Sequence, residues 1–381
     1  MRVLLVTGLV AGGVGRHVEM LVRGLRARGH QVVVACPAAV SSRFDLGRTV
    51  ALPVGSRPNP VRDVPALRTL RPLVAGADVV HAHGLRAGAL AVLARGVAAR
   101  RPTPARRRPR LVVTSHNAPP QGRAARAVYV AMERLVARGA DLVLGVSPDL
   151  VERSARAGAV RTGQAVVPAA WAAPVDRTAA RSALGAELGL PDQARVVLVV
   201  GRLAPQKGLE TAVAAHAALV EVHDPGASPV EDAHLVIVGE GPERSWLADL
   251  AARPGSGVHL LGHRPDVPAL LAAADVVLST ARWEGQPVWL QEALQQGAAI
   301  VATDVGGTAA VVGDAALLVR GGHAGTTDAV VPEDVAVALR RVLRDDAFRD
   351  ALRGRALARA AELPTEDDAL GAALAAYLGP G

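Results

Sequence analysis

DVVLSTARWEGQPVWLQEALQQGAAIVA, residues 275–302, decides how the fold is read. It opens with a short apolar run, 275–280, that reads as a buried strand. Residues 282–286 form a polar turn. Pro287 fits the first turn of a helix, where its missing N–H costs nothing. Val288, Leu290 and Leu294 supply apolar helix positions, Gly297 stops the helix, and 299–302 begins the next strand. The product is a strand–loop–helix–strand unit with Glu284 in its loop and Glu292 in its helix. Such a loop presents unpaired N–H groups at the positive end of a helix, which suits a phosphate or a partly negative sugar oxygen. The two carboxylates suit hydrogen bonds from sugar hydroxyls.

Outward from this unit, the chain of 381 residues exceeds one ordinary core and predicts two domains. Half of the residues are apolar and a fifth charged, the balance of a globular protein. No run of 18 uninterrupted apolar residues occurs, so no membrane span is expected. The start, MRVLLVTG, is too short an apolar run for a signal peptide and reads as a first strand. The single Cys36 permits no internal disulfide, and a cytoplasmic location fits. The basic residues are 42 Arg and one Lys, Lys207. Residues 1–170 hold 26 Arg against 8 acids, while 171–381 hold 17 basic residues against 27 acids. A basic half joined to an acidic half implies that the first meets something anionic.

In the first half, residues 3–7 read as a strand, followed by GLVAGGVGRHVEMLVRGLRARGH. Gly12, Gly13 and Gly15 are expected in a loop, with helical spacing over 16–28 and a strand at 31–35. This is a βαβ unit whose glycine-rich turn allows close backbone approach to an anion. Val18 stands where a dinucleotide fingerprint needs its third glycine, which opposes a nicotinamide dehydrogenase. Strand-like runs recur at 78–81, 111–115 and 141–146 with helical patterns between them, as in a parallel doubly wound sheet. Ligands of such sheets gather at the carboxyl ends of the strands, where His83 and His116 fall. Residues 100–110, RRPTPARRRPR, carry six Arg and no acid. They predict a loop that contacts an anionic membrane surface or acceptor, on the inner face of a membrane. Nucleic acid is not expected, since aromatics for stacking are few.

Residues 163–180 are rich in Pro and Ala and predict the crossing between domains. Beyond them, 195–200 reads as a buried strand running into GRLAPQKGLETAVAA. Arg202 and Lys207 flank one strand-to-helix turn, so both can reach one diphosphate. A guanidinium binds two phosphate oxygens together and an ammonium acts as a compact point charge. A strand at 234–238 leads to a turn at Gly239 and Gly241, with Pro242 beginning a helix; the next strand, 258–261, ends in Gly262, His263 and Arg264. No Asp-x-Asp or His-rich metal cluster is present, so no metal is expected.

Glu284 and Glu292, with seven residues between them, resemble the E-x7-E motif of the retaining glycosyltransferases of family 4, which have the GT-B fold. Gly201-Arg202 and Lys207-Gly208 are similar to that family's GR-x4-KG element, and Gly12 to Val18 to its GGxxxHV loop. Thr114-x-His116 resembles its active-site histidine. The resemblance implies an α/β protein of two Rossmann-like doubly wound domains facing across a cleft. Residues 1–170 would bind the acceptor and 171–363 the nucleotide-sugar, while a helix in 364–381 crosses back to the first domain. It implies donor contacts from Gly13, Arg202, Lys207, Glu284, Gly285, Gln286 and Glu292. The Gly262, His263, Arg264 loop would lie against the base. Catalysis would engage His116, Arg202, Lys207 and Glu284, with a UDP- or GDP-sugar as substrate, no cofactor, and a small-molecule, glycan or lipid-linked acceptor. The chain departs from the family at Gln286 and Pro287, where Phe and Gly are usual, and at Ala309 and Ala310, where Pro-Glu is common. Those departures keep open a second reading, a non-catalytic nucleotide-sugar binder or partner subunit.

Overall fold

Apolar β-branched runs separated by helical segments of 3.6-residue period build two parallel sheets, each covered on both faces. The computed structural model describes residues 1–10, 12–55, 59–98, 108–120, 122–220, 230, 232–320 and 330–379. Most of the basic run 100–110 therefore lies outside the described residues. Contacts divide the chain into two units, Met1–Pro168 with Pro364–Gly381, and Ala169–Leu363.

The first unit holds a seven-stranded sheet among its described residues. Its strands are β1 (Arg2–Thr7), β2 (Gln31–Cys36), β3 (Thr49–Ala51), β4 (Val79–His83), β5 (Arg110–Ser115), β6 (Leu142–Gly145) and β7 (Thr162–Gln164). They lie in the order β3-β2-β1-β4-β5-β6-β7, every pair parallel. The second unit holds β8 (Arg195–Val200), β9 (Ala233–Val238), β10 (Val258–Gly262), β11 (Val276–Ser279), β12 (Ile300–Thr303) and β13 (Ala316–Val319). Their order is β10-β9-β8-β11-β12-β13, again all parallel. Strands buried on both faces carry unbroken apolar runs rather than alternation. Val196 to Val199 and Val276 to Leu278 are accordingly at most 5 % exposed.

Each sheet sits between two apolar clusters. In the first unit one cluster gathers around Leu70, Leu90 and Val113, the other around Leu21, Leu25 and Val34. The second is completed by Ala369, Leu370, Ala373 and Tyr377 from the last helix, Glu366–Leu378. That helix starts at a capping box in which Thr365 and Asp368 satisfy each other's backbone N–H groups.

The structure corrects the expected glycine loop. Gly12, Gly13 and Gly15 belong to a helix, Gly12–Ala27, rather than to a loop before it. Gly15 is there for packing: a Cβ on it would stand 2.1 Å from Cζ of Phe44. A smaller correction concerns Pro287, which caps the helix Val288–Gln295 instead of entering its first turn. Pro242 likewise precedes its helix, which runs Arg244–Ala251.

Candidate active site

Strand order reverses between β1 and β4 in the first sheet and between β8 and β11 in the second. Loops leaving the carboxyl ends on either side of such a reversal diverge and leave a crevice. Lys207 and Arg202 follow β8, and Glu284 follows β11, so the second unit sets all three at its reversal point. β8 and β11 pair only through Val197↔Val276 and Leu198↔Val277. Beyond those pairs the strand ends separate around a small cavity lined by Gly201, Arg202, Lys207, Ser279 and Trp289.

The two loops are stitched together by main-chain groups. The Thr280 hydroxyl lies within hydrogen-bonding reach of the carbonyls of Lys207 and Gly208, at 3.1 and 2.9 Å. The Arg282 N–H donates to the Gln206 carbonyl at 2.8 Å. Gln206 Nε2 donates in turn to the Trp283 carbonyl at 2.9 Å. Gly208 sits at φ +60°, and a Cβ there would come within 2.2 Å of the Thr280 carbonyl oxygen, so the junction requires glycine. From the third side the Gly307 N–H donates to the Glu284 carbonyl at 2.9 Å.

These bonds fix where the charges stand. Lys207 closes a short 3-10 turn, Pro205–Lys207, and its Nζ donates to Glu284 Oε1. The two side chains are only 20 % and 9 % exposed. Arg202 is exposed and has no hydrogen-bond or ion-pair partner among the described residues. Gly285 is buried, Gln286 next to it is half-buried, and so is Glu292 in the following helix. Pro287, at the helix cap, offers no N–H.

The loop after β10 is held by Asp266 within it and by Glu187. Gly262 is the last residue of the strand and His263 is exposed. Arg264 is engaged on all three guanidinium nitrogens. Asp266 takes Nε and Nη2 at 2.8 and 2.7 Å, and Glu187 takes Nη1 and Nη2 at 2.5 and 3.2 Å. These two carboxylates raise its pKa further, so the side chain works as a clamp on its own loop.

In the first unit Gly13 lies in the first turn of Gly12–Ala27, whose leading N–H groups lack partners within the helix. Four imidazoles gather at the neighbouring strand ends. His81 bonds Tyr377 Oη through Nδ1 and Thr114 Oγ1 through Nε2, both at 2.8 Å. His83 Nδ1 meets His116 Nε2 at 3.2 Å. His17 stands edge-on to His83 with ring centres 5.8 Å apart. Burial lowers every one of them: His17 to about 4, His81 and His116 to about 3, and His83 well below its ordinary value. The neighbouring imidazoles depress the last three further.

Several residues at these sites escaped the sequence reading. His17 and His81 carry a signal only as an H-x-H strand end and a helical His beside it. Trp289 lines the cavity with an indole N–H that is buried and has no partner among the described residues. From the same helix and its C-cap, Gln291, Gln295 and Gln296 accept the N–H groups of Ala169, Ala172 and Val175 at 2.9, 3.2 and 2.9 Å. Three glutamines in WLQEALQQ are the visible trace of that ladder.

The family model described as "Glycosyl transferase 4-like domain" matches residues 12–170, and that described as "Glycosyl transferases group 1" matches residues 194–345. This chain belongs to glycosyltransferase group 1, family 4, of the GT-B fold. Among its group 1 relatives is the alpha-D-kanosaminyltransferase of Streptomyces kanamyceticus, 30% identical over 206 residues, which are 52% of this chain and 48% of that one. The D-inositol 3-phosphate glycosyltransferase of a Nocardioides species is 35% identical over 49% of this chain and 41% of that one. These matches thus span about half or less of the relatives' length. Among solved GT-B structures, Anabaena HepE in complex with UDP and glucose superimposes with a TM-score of 0.76 at 19% identity, covering 98% of each chain. WaaG, described as involved in lipopolysaccharide biosynthesis, superimposes at 0.70 and 20% identity over 99% of this chain and 100% of that one.

Proposed function

We propose that the protein is a retaining glycosyltransferase that moves a sugar from a UDP- or GDP-sugar to an acceptor hydroxyl without a metal or other cofactor. One observation carries the reading. Lys207 and Arg202 flank one turn at the strand-order reversal of the second unit, with Arg202 exposed and unpartnered. A diphosphate gains negative charge as the glycosidic bond breaks, and fixed cations aimed at it stabilise that change most. Arg202 is free to take two of its oxygens together. Lys207 is held in place by Glu284 and shares its ammonium protons between that carboxylate and the phosphate. Glu292 accepts from donor hydroxyls. His116 contacts the transferred sugar, and the first unit takes the acceptor. The UDP and glucose named with HepE fit a donor of this class.

The acceptor is a glycan, a small molecule or a lipid-linked sugar. Segment 100–110 gives the protein a peripheral contact with an anionic membrane face. Among the described residues no helix is long and apolar enough to cross a membrane. Thermal-shift screening with nucleoside diphosphates and their sugars, followed by nucleotide release on adding acceptors, tests the proposal. Stabilisation by one diphosphate series that is lost in Arg202→Ala supports it, and no response to any nucleotide refutes it. Tight donor binding without hydrolysis or transfer would favour the non-catalytic reading that Pro287 suggests.

A further inference from the structure

His83 and His116 meet nitrogen to nitrogen, at 3.2 Å and with their rings 27° from parallel. Burial keeps both imidazoles neutral, so each carries one proton. Two arrangements satisfy the contact. His83 Nδ1–H donates to a bare His116 Nε2, or His116 Nε2–H donates to a bare His83 Nδ1. They differ in what remains on the inner side of His83. There Nε2 is buried and has no partner among the described residues. The first arrangement leaves a lone pair at that point, the second an N–H. An orphaned buried N–H is the rarer of the two in folded proteins. The first arrangement avoids it and puts the other proton on His116 Nδ1. His116 is only half-buried, so that N–H has solvent or a ligand to meet.

We propose that His83 is a positioning residue that fixes His116 as its Nδ1–H tautomer, so that His116 meets the sugar as a hydrogen-bond donor and not as a base. The second half rests on the reading that His116 faces the transferred sugar. In this tautomer Nδ1 engages the lone pair of a hydroxyl or ring oxygen and takes no proton from the acceptor. His81, bonded on both nitrogens, holds the floor beneath the pair.

Imidazole nitrogen NMR on the full, ligand-free, isotope-labelled chain near neutral pH tests the assignment, with His116→Ala identifying the resonances. The expected spectrum has a protonated Nδ1 and a bare Nε2 on His116. In His83→Leu the ratio of the Nδ1–H to the Nε2–H form falls about tenfold, the worth of one neutral hydrogen bond. In His83→Asn, whose amide N–H starts from the same Cγ, the ratio returns. A His116 protonated on Nε2 in the unmodified chain overturns the proposal, as does a ratio indifferent to His83→Leu. If His83→Leu fails to fold, the unmodified chain and His83→Asn decide. Unimpaired sugar transfer by His116→Ala would strike the sugar-facing role while leaving the tautomer assignment standing, so the two failures are separable.

Discussion

At the scale of single residues, the two cations of the 201–208 turn stand in opposite states. Arg202 is exposed and unpartnered, whereas Lys207 is half-buried against Glu284. Their removal should therefore differ in stability even where it agrees in rate. Arg202→Ala is expected to lower kcat by roughly 10²–10³, the usual cost of losing one transition-state donor. Its urea midpoint should hardly move, because an exposed side chain away from packing changes stability little. Lys207→Ala should lower kcat similarly and also destabilise the chain by about 1–3 kcal/mol, since Glu284 is left buried without its partner. Removing both, in Lys207→Ala/Glu284→Ala, should cost less stability than the sum of the two single changes. Urea denaturation of the unmodified chain, these three variants and Glu284→Ala measures this, and equal midpoints for Arg202→Ala and Lys207→Ala would contradict the assignment. The pair itself was hidden in the sequence because its members lie 77 positions apart. Only the strand order brings them together.

At the scale of elements, the helix Val288–Gln295 has two duties on two faces. One carries Glu292, and the other presents Gln291 to the N–H of Ala169 within the buried interior. Gln291→Ala should leave that N–H unmet and cost about 1–3 kcal/mol, read as a lower urea midpoint with faster amide exchange at Ala169. An unchanged exchange rate there would show that the bond is not formed. Strands and their order of occurrence were legible, because runs such as RVVLVV at β8 admit few other readings. The glycines at 12–15 misled, since low helix propensity reads as loop while Gly15 is small to admit Phe44. The partners of Arg264 were not legible: its carboxylates come from Asp266 and from Glu187 on a separate helix, and sequence spacing does not connect the latter.

The histidine group also belongs to this scale, because three segments supply it, the helix Gly12–Ala27, β4 and the loop after β5. Folded-state values for His17, His81 and His116 lie at about 4, 3 and 3, below the unfolded value near 6.5. The sign follows from proton counting. Between those values the unfolded chain binds protons that the folded chain refuses, so stability falls as pH drops through about 6.5 toward 4. Each such histidine adds a slope of up to about 1.4 kcal/mol per pH unit in that window. Above pH 7 the effect vanishes. Urea titrations at pH 7.5, 6 and 5 should show this loss, and His17→Gln should flatten it. A midpoint independent of pH over this range would exclude neutral burial of the group.

At the scale of the whole molecule, the chain visits the first unit twice, at its beginning and again over residues 364–381. The second visit has an energetic purpose that surface charges do not explain. Arg23–Glu366 and Arg28–Asp367 are exposed pairs, and such pairs contribute about 0–1 kcal/mol each. Leu370 and Tyr377, 4 % and 3 % exposed, each withdraw enough apolar surface for roughly 1.5–3 kcal/mol. Tyr377 adds the bond to His81, so its loss would also leave that ring one partner short inside the cluster. Together the two side chains contribute about 3–6 kcal/mol, a large fraction of the margin of an ordinary domain, about 5–15 kcal/mol. The second unit, Ala169–Leu363, contains both apolar clusters of its own sheet. Residues 169–363 alone should therefore unfold cooperatively in urea, while 1–168 alone should not form a cooperative unit. Adding 364–381 back through a short Gly/Ser linker should restore one. Cooperative unfolding of 1–168 without that helix would mean that the first unit's core is complete before the chain returns to it.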